Sequence, residues 1–418
     1  MKAELAKILE GYGLDAVVVT GMSSHNPSMN YFTGSNMFTK AYVVIPRGGE
    51  PILFYRTMER DTAAKTGMKR MGIEALPGGE ILGADGLPVR NGEAATLRRV
   101  LIAAGVERGT VAFSGRFEFG EFFAAVETFR KAFPDYTVEA ELGDKALADA
   151  RYLKDESELA AIRAMGEVVT GIVGRINALI RECRVKDGKL VTQRGEPVRI
   201  GEIKRRINLM LTEAGAENPE GTIFSIGRDA GVPHNAGNDE AQVEAGKTIV
   251  FDFFPCRESG YFFDFTRTWY IGTPPPWLQE AYDRVKQVHH EVVAFARAGK
   301  IAFELQDKTC DLFEEMGYAT IRKDAKCTNG YVHSVGHGLG LDVHEPPFTR
   351  GRDPKLTELR PGTVFTIEPG LYFPDADVPF GIRLEDTLYI DENGDARYFA
   401  PYPYQLGIDV PPYETVEE

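Results

Sequence analysis

Two aspartates stand inside apolar, strand-like runs. Asp252 lies in Thr248-Ile249-Val250-Phe251-Asp252-Phe253-Phe254, and Asp264 lies in Tyr261-Phe262-Phe263-Asp264-Phe265. A bare carboxylate in such a run is costly to bury unless something compensates it. The two runs read as a hairpin that turns at Arg257–Gly260, centred on Glu258. That register makes the aspartates direct cross-strand neighbours, with Cβ atoms roughly 4.5–5.5 Å apart. Like charges so placed repel, and a divalent cation resolves the conflict. The plainer alternative is a pair of edge aspartates bonded to loop amides.

Further residues join the set downstream. His333-Ser-Val-Gly-His337-Gly-Leu-Gly-Leu-Asp-Val-His344-Glu345-Pro346 places three of the seven histidines within twelve residues. Gly336, Gly338 and Gly340 disfavour a helix, so His333 and His337 are not a helical i, i+4 zinc pair. A glycine-rich turn that aims imidazoles inward fits better. Glu368 ends the run Val364-Phe365-Thr366-Ile367, and Glu385 lies in Gly381-Ile382-Arg383-Leu384-Glu385-Asp386. Two Asp, two Glu and one His make an oxygen-rich donor set whose four carboxylates match two divalent ions. Hard oxygens with one imidazole suit Mn²⁺, Co²⁺, Fe²⁺ or Zn²⁺ better than they suit a closed structural zinc site. Two-metal sites activate a bridging water and stabilise the oxyanion of a tetrahedral intermediate, which points to hydrolysis.

The elements that position this set fall in two halves. Up to about residue 150, Ala16–Thr20, Ala41–Ile45, Pro51–Tyr55 and Thr110–Phe113 read as strands, and Ala3–Gly11, Gly92–Ala104 and Phe119–Ala132 as helices. Such alternation suggests an α/β domain with a mixed sheet. A boundary falls near Ala150. Asp155 and Glu158 then form a capping-box signal before a helical stripe of Leu159, Ile162, Met165, Val169 and Ile172, the bridge into a second domain. Asp187-Gly188 marks a hairpin within Arg184–Val191, read as an insertion facing a partner subunit. The locally basic Arg181–Arg206 segment reads as a solvated face. Helices around Ile203–Leu211 and over Trp277–Ala298 follow. Strands are expected at Thr248–Phe254, Tyr261–Ile271, Thr363–Ile367 and Ile382–Ile390, so this half is α+β. His25, His289 and His290 are read as structural.

Composition narrows the partners. The 418 residues carry 48 Lys+Arg against 62 Asp+Glu, a net charge of −14. That balance argues against nucleic acid and anionic membranes, which need a positive surface. No apolar run approaches the ~18 residues of a spanning helix, and the first residues do not read as a secretory signal. Cys183, Cys256, Cys310 and Cys327 are widely spaced, so no disulfide framework or thiolate metal site is expected and a reduced cytoplasmic protein is.

The ordered set Asp252…Asp264-Phe-Thr-Arg-Thr, His333-x-x-x-His337-Gly-x-Gly-Leu-x-x-His344-Glu, Glu368-Pro-Gly and Gly-Ile-Arg383-Leu-Glu385-Asp resembles the creatinase/prolidase family of metallopeptidases. That family includes Xaa-Pro dipeptidase, Xaa-Pro aminopeptidase and, more distantly, methionine aminopeptidase. Asn30-Tyr-Phe-Thr-Gly34 resembles the N-terminal domain of the prolidase branch, and Arg151-Tyr-Leu-Lys154-Asp-Glu-Ser-Glu158-Leu the family's entry helix. The resemblance implies an α+β pita-bread catalytic domain over 151–418, preceded by a smaller creatinase-like α/β domain over 1–150. It implies Asp252, Asp264, His337, Glu368 and Glu385 as ligands of two divalent metal ions per subunit, Mn²⁺ first, with Asp264 and Glu385 bridging. Glu368 would also handle the proton of the attacking water. His234 would hydrogen-bond the substrate or intermediate, His344 would polarise the scissile carbonyl, and His333 would shape a proline pocket. Arg383, two residues before Glu385, would orient that carboxylate.

The implied substrate is a small peptide with proline at its second position, and the implied assembly is a homodimer. There are two departures: Asp252 and Asp264 are one residue further apart than is usual in the family, and Asn235 follows His234 where an aromatic is common. The extra residue is expected to be absorbed in the Arg257–Gly260 turn, leaving both aspartates on one face. Two alternatives are a non-peptidase hydrolase or lyase on the same fold and a catalytically inactive binding module. All five ligands are present, which counts against the latter.

Overall fold

Val17, Val18 and Val19 are β-branched and fully buried, which suits the middle of a sheet covered on both faces. In the computed structural model, which describes residues 4–257, 260–350 and 357–414, they form the centre of β1 (Ala16–Gly21). The chain divides into two compact units, Met1–Tyr152 and Leu153–Glu418. In the first, β1 is joined by β2 (Ala41–Pro46), β3 (Ile52–Tyr55), β4 (Lys69–Gly72), β5 (Gly109–Arg116) and β6 (Tyr136–Val138). The sheet order is β4-β3-β2-β1-β5-β6. β1 runs antiparallel to β2 and parallel to β5, so the sheet is mixed, as the alternating pattern implies. Helices α1 (Leu5–Gly11), α2 (Pro27–Thr33), α3 (Arg60–Lys65), α4 (Gly92–Ala103), α5 (Phe119–Ala132) and α6 (Ala140–Tyr152) complete the unit. Its core gathers Val18, Val44, Phe54, Leu97, Val111 and Phe129.

The second unit opens with α7 (Glu156–Glu182). The Asp155 side chain accepts from the amides of Ser157 and Glu158, and Glu158 reaches back to the Asp155 amide, which closes the capping box. Ile162, Met165, Val169, Ile172 and Ile176 are buried along one face of α7. The hairpin β7 (Arg184–Lys186) and β8 (Lys189–Val191) turns through Asp187 at φ 51° and Gly188 at φ 73°. Two left-handed residues in succession are the signature of a type I′ turn. Next come α8 (Ile200–Glu213), β9 (Ala216–Glu217), β10 (Thr222–Ile226), β11 (Thr248–Phe253), β12 (Cys256–Arg257), β13 (Phe265–Ile271), α9 (Pro276–Phe295) and α10 (Ala302–Glu315). The rest is strand: β14 (His337–Gly338), β15 (Glu345–Phe348), β16 (Val364–Ile367), β17 (Gly370–Phe373), β18 (Phe380–Arg383), β19 (Asp386–Ile390), β20 (Ala396–Tyr398) and β21 (Gly407–Ile408). Two sheets dominate, ordered β10-β11-β13-β21 and β15-β14-β16-β19-β20, with β17-β18 as a separate pair. Among the described residues no helix is long and apolar enough to cross a membrane.

Three sequence expectations need correction. First, Asp252 pairs with Thr266, not with Asp264, which precedes β13. The connection is not a simple hairpin: β12 leaves to pair with β9, and Cys256 bridges to Phe262. The register is therefore set by these pairings rather than by a count outward from Glu258, which lies with Ser259 outside the described residues. Because the slip is two residues, the side-chain parity of Asp264 is kept. Second, Tyr261–Ile271 is strand only from Phe265. Third, Ile382–Ile390 is not one strand. It breaks at Leu384–Glu385, after which the chain leaves β17 and joins β16.

Candidate metal centre

All nine residues singled out by the sequence line one cavity of about 810 Å³ in the second unit. They are His234, Asp252, Asp264, His333, His337, His344, Glu368, Arg383 and Glu385. Asp252 comes from β11, Asp264 from the approach to β13, Glu368 from the end of β16, and Arg383 and Glu385 from the β18–β19 break. The glycine-rich turn can reach them only because it runs hard against its neighbours. A Cβ on Gly336 would lie 2.0 Å from the Thr366 carbonyl oxygen, and one on Gly338 would lie 2.2 Å from the Pro346 carbonyl. The turn is then tied down, with the Glu368 amide donating to the Val335 carbonyl at 2.8 Å and the His337 amide donating to Thr366 Oγ1 at 3.2 Å.

At the floor, His337 Nε2 is 3.5 Å from Asp264 Oδ2 and 3.7 Å from Glu368 Oε1. One ligand atom each from Asp264, His337 and Glu385 lie within 4.8 Å of one another. His337 Nδ1 faces the Gly338 carbonyl oxygen at 3.0 Å. A carbonyl only accepts, so Nδ1 carries the hydrogen and Nε2 turns its lone pair to the carboxylates. Asp252 Oδ1, Asp264 Oδ1 and Glu385 Oε1 are buried and have no hydrogen-bond partner. Bare carboxylate oxygens are costly inside a protein. Two of these carboxylates, Asp264 and Glu385, gather with an imidazole able to ligate, which is the donor chemistry of a divalent-cation site, so the residues fit the metal that the sequence implies.

The electrostatics agree. Burial, with the nearby Asp252 and Glu368 carboxylates, raises the Asp264 carboxyl well above its ordinary range. Burial and the Asp264 carboxylate do the same to Glu385. Glu368 is pushed up to about 8 by burial, against the pull of the Arg383 guanidinium. Burial pushes His337 down to about 3, so its ring is neutral and able to ligate. A divalent cation would reverse the first three effects at once.

Arg383 is buried, and all three of its guanidinium nitrogens are engaged. It pairs with Asp252 Oδ2, donates from Nε to Thr266 Oγ1 at 3.2 Å, and donates from Nη1 to Tyr372 Oη at 2.9 Å and the Pro233 carbonyl at 3.3 Å. Spacing alone puts it beside the Glu385 carboxylate, but the guanidinium turns to Asp252 and reaches Glu385 only through Thr266. Thr266 Oγ1 donates to Glu385 Oε2 at 2.7 Å. His333 has both ring nitrogens engaged, Nδ1 at 2.7 Å from the Ser334 carbonyl and Nε2 at 2.8 Å from Tyr372 Oη. His344 and His234 are exposed on the cavity wall, with the His344 ring 4.3 Å from that of His337. His289 is fully buried on α9, away from the cavity lining.

Sequence reasoning missed the supporting residues. Thr266, Tyr372 and Thr387 are buried, and Thr387 Oγ1 donates to the Asp264 carbonyl at 2.7 Å. Thr266 sits inside the quoted Asp264 segment, yet a threonine in a strand carries no signal of its own, and neither does a tyrosine four residues after Glu368.

Comparison with known proteins places the chain among relatives of the same fold. The family description "Creatinase/Prolidase N-terminal domain" matches residues 2–140. The Xaa-Pro dipeptidase of Pyrococcus furiosus is 31% identical over 255 residues, which are 61% of this chain and 65% of that protein. The Xaa-Pro dipeptidase of Pyrococcus horikoshii is 32% identical over 255 residues, 61% of this chain and 64% of that protein. The aligned stretch is thus a little under two thirds of either relative's length. The solved prolidase from Pyrococcus furiosus superposes with a TM-score of 0.71 at 24% identity, over 95% of this chain and 99% of that one. The X-Pro aminopeptidase from Thermotoga maritima gives 0.72 at 21% identity, over 98% and 99%. Both share this two-domain creatinase-like fold. The model of metallopeptidase family M24 matches residues 160–392, more than half of the chain and the whole span of the cavity's nine residues, and the chain belongs to that family.

Proposed function

We infer that the protein is a two-metal exopeptidase that hydrolyses the bond between an N-terminal residue and proline, as an Xaa-Pro dipeptidase or a closely related Xaa-Pro aminopeptidase. One observation carries the reading. Buried Asp264 and Glu385, each with an unpartnered carboxylate oxygen, gather with the His337 imidazole in a peptide-sized cavity that Asp252 and Glu368 also line. Asp252, Asp264, His337, Glu368 and Glu385 would hold two divalent ions, with Mn²⁺ expected and Co²⁺, Zn²⁺ or Fe²⁺ as alternatives. When bound, the ions supply Lewis-acid activation of water and charge stabilisation for the developing oxyanion.

The chain's own residues do the rest. Glu368 takes the proton of the attacking water at a carboxylate oxygen and returns it to the departing proline nitrogen. His234 and His344, exposed on the wall, donate to the substrate's carbonyl and to the oxygen of the tetrahedral intermediate. His333 is a fixed wall of the proline pocket, because neither of its nitrogens is free to shuttle a proton. Arg383 orients Asp252 directly and Glu385 through Thr266. The reading includes a reducing, cytoplasmic setting, consistent with four free cysteines. It also includes a homodimer, which rests on the family resemblance and which light scattering tests.

The decisive assay is release of the N-terminal amino acid from Ala-Pro and from Ala-Pro-Ala, using chelator-stripped protein reloaded with Mn²⁺. Cleavage of the dipeptide alone makes the protein a dipeptidase, and cleavage of the tripeptide makes it an aminopeptidase. Cleavage of neither by protein that binds two metals would overturn the peptidase reading in favour of a different hydrolase or lyase.

A further inference from the structure

One buried ion pair lies outside the metal-site residues yet touches the segments that carry them. Lys154 Nζ is 2.7 Å from Glu345 Oε1, and the two side chains are only 2% and 4% exposed. The Glu345 Oε2 atom is buried with no hydrogen-bond partner, so the ammonium is what compensates this carboxylate. Glu345 directly follows His344 and opens β15. The Lys154 amide donates to the Gly362 carbonyl at 2.9 Å, which fixes the lysine's backbone ahead of the Asp155 cap of α7.

The pair packs straight onto the glycine-rich turn. A Cβ on Gly340 would lie 2.4 Å from Glu345 Oε1 and 2.9 Å from Lys154 Cε. The Gly340 carbonyl in turn accepts from the Phe262 amide at 2.8 Å, two residues before Asp264. Tyr261 donates to Glu158 Oε1 at 2.5 Å, which ties the same segment to the first turn of α7. The start of α7, the approach to Asp264 and the 337–345 turn therefore meet at one buried charge pair. A well-packed apolar pair is often as stable as a buried ion pair, whereas an ion pair demands one register.

We propose that Lys154 is a positioning residue: through Glu345 it fixes where the His344 imidazole stands on the cavity wall. The proposal rests on the reading in which His344 meets the substrate. A side chain displaced by about 1 Å costs up to about 100-fold in rate.

The test compares the Mn²⁺-loaded wild type with Lys154→Met and with the double variant Lys154→Met/Glu345→Met. The double variant removes both charges and so controls for folding. Activity on Ala-Pro is read as kcat and KM separately. Carbethoxylation of His344 is read by peptide mass mapping, with exposed His25 as the reference. The expected result is a fall in kcat of about 10- to 100-fold in both variants, with KM within about threefold, full metal content and an altered His344 labelling rate. Recovery of wild-type kcat and labelling in the double variant would make the pair merely structural and overturn the proposal. So would unchanged His344 labelling in Lys154→Met. If the wild type cleaves no Xaa-Pro peptide while Lys154→Met still alters His344 labelling, the peptidase reading fails and the positioning role stands.

Discussion

Thr266→Val isolates one hydroxyl that serves two charged groups. Thr266 is fully buried. Its Oγ1 donates to Glu385 Oε2 at 2.7 Å and accepts from Arg383 Nε at 3.2 Å. The roles cannot be exchanged, because a carboxylate only accepts and a guanidinium only donates. Valine keeps the shape and the strand preference, so the pairing of residue 266 with Asp252 survives. What goes is a pair of charge-assisted hydrogen bonds, each contributing about 1.5–3 kcal/mol. Glu385 Oε1 already lacks a partner, so no side-chain hydrogen bond among the described residues would then orient this carboxylate. Arg383 keeps Asp252, Tyr372 and the Pro233 carbonyl. The loss therefore falls mainly on Glu385, and metal affinity should drop by about 10- to 100-fold. Thr268→Val is the matched control. Thr268 is equally buried, but its hydroxyl bonds only the Arg383 main chain, at 2.9 Å to both the amide and the carbonyl. It should cost about 1–3 kcal/mol of folding stability and leave metal affinity within about threefold. Competitive calorimetric titration of Mn²⁺ into stripped protein reads the affinity, and urea denaturation reads the stability. Wild-type affinity in Thr266→Val, or an equal loss in Thr268→Val, would refute the reasoning.

Metal loading should expel protons. Glu368 titrates at about 8 in the metal-free protein, and the Asp264 and Glu385 carboxyls are also raised. Protons held below pH 8 compete with the metal, so apparent affinity should rise with pH by up to about tenfold per unit for each proton displaced. Calorimetry in two buffers of different ionisation enthalpy measures that release, and identical heats would count against it. Burial pushes His289 down to about 4, against about 6.5 in an unfolded chain. The folded state stays neutral where the unfolded chain takes up a proton. Its contribution to stability is therefore whole above pH 6.5 and lost as pH falls toward 4, by about 3 kcal/mol in all. His289→Phe should flatten that acid limb in urea midpoints compared at pH 7 and pH 5; an unchanged slope would assign the acid sensitivity elsewhere. Gly338→Ala would put a methyl 2.2 Å from the Pro346 carbonyl. It should cost about 1–3 kcal/mol and displace His337, so metal stoichiometry at limiting Mn²⁺ should fall. A variant with wild-type stability and stoichiometry would show that the turn has slack.

The parts of the centre that the sequence exposes are those that violate a local rule. Asp252 and Asp264 stand out because a carboxylate does not belong in an apolar run, and the histidine turn stands out because glycine at every second position is neither helix nor ordinary strand. The α7 cap and the Asp187-Gly188 turn are legible because each is complete within a few residues. Legibility fails where the deciding partner is distant. The Asp252 register depends on β12 pairing with β9 and on the Cys256–Phe262 bridge, neither of which a count along the hairpin includes. Residues 382–390 read as one strand because both halves are buried, and buried apolar strands in different sheets look continuous in sequence.

The supporting residues are hidden for the same reason. Thr266 reaches Glu385 across 119 residues, Thr387 reaches Asp264 across 123, and Lys154 reaches Glu345 across 191. Each is an ordinary residue in its own neighbourhood and becomes specific only when folding delivers its partner. The ligand carboxylates are locally unfavourable wherever the chain places them, so their purpose shows early. The hydroxyls and the ammonium that aim them are locally unremarked, so only the folded geometry reveals them. Perturbing the aiming residues, rather than the ligands, therefore asks the sharper question: it leaves the donor set intact and tests whether orientation alone sets metal affinity and rate.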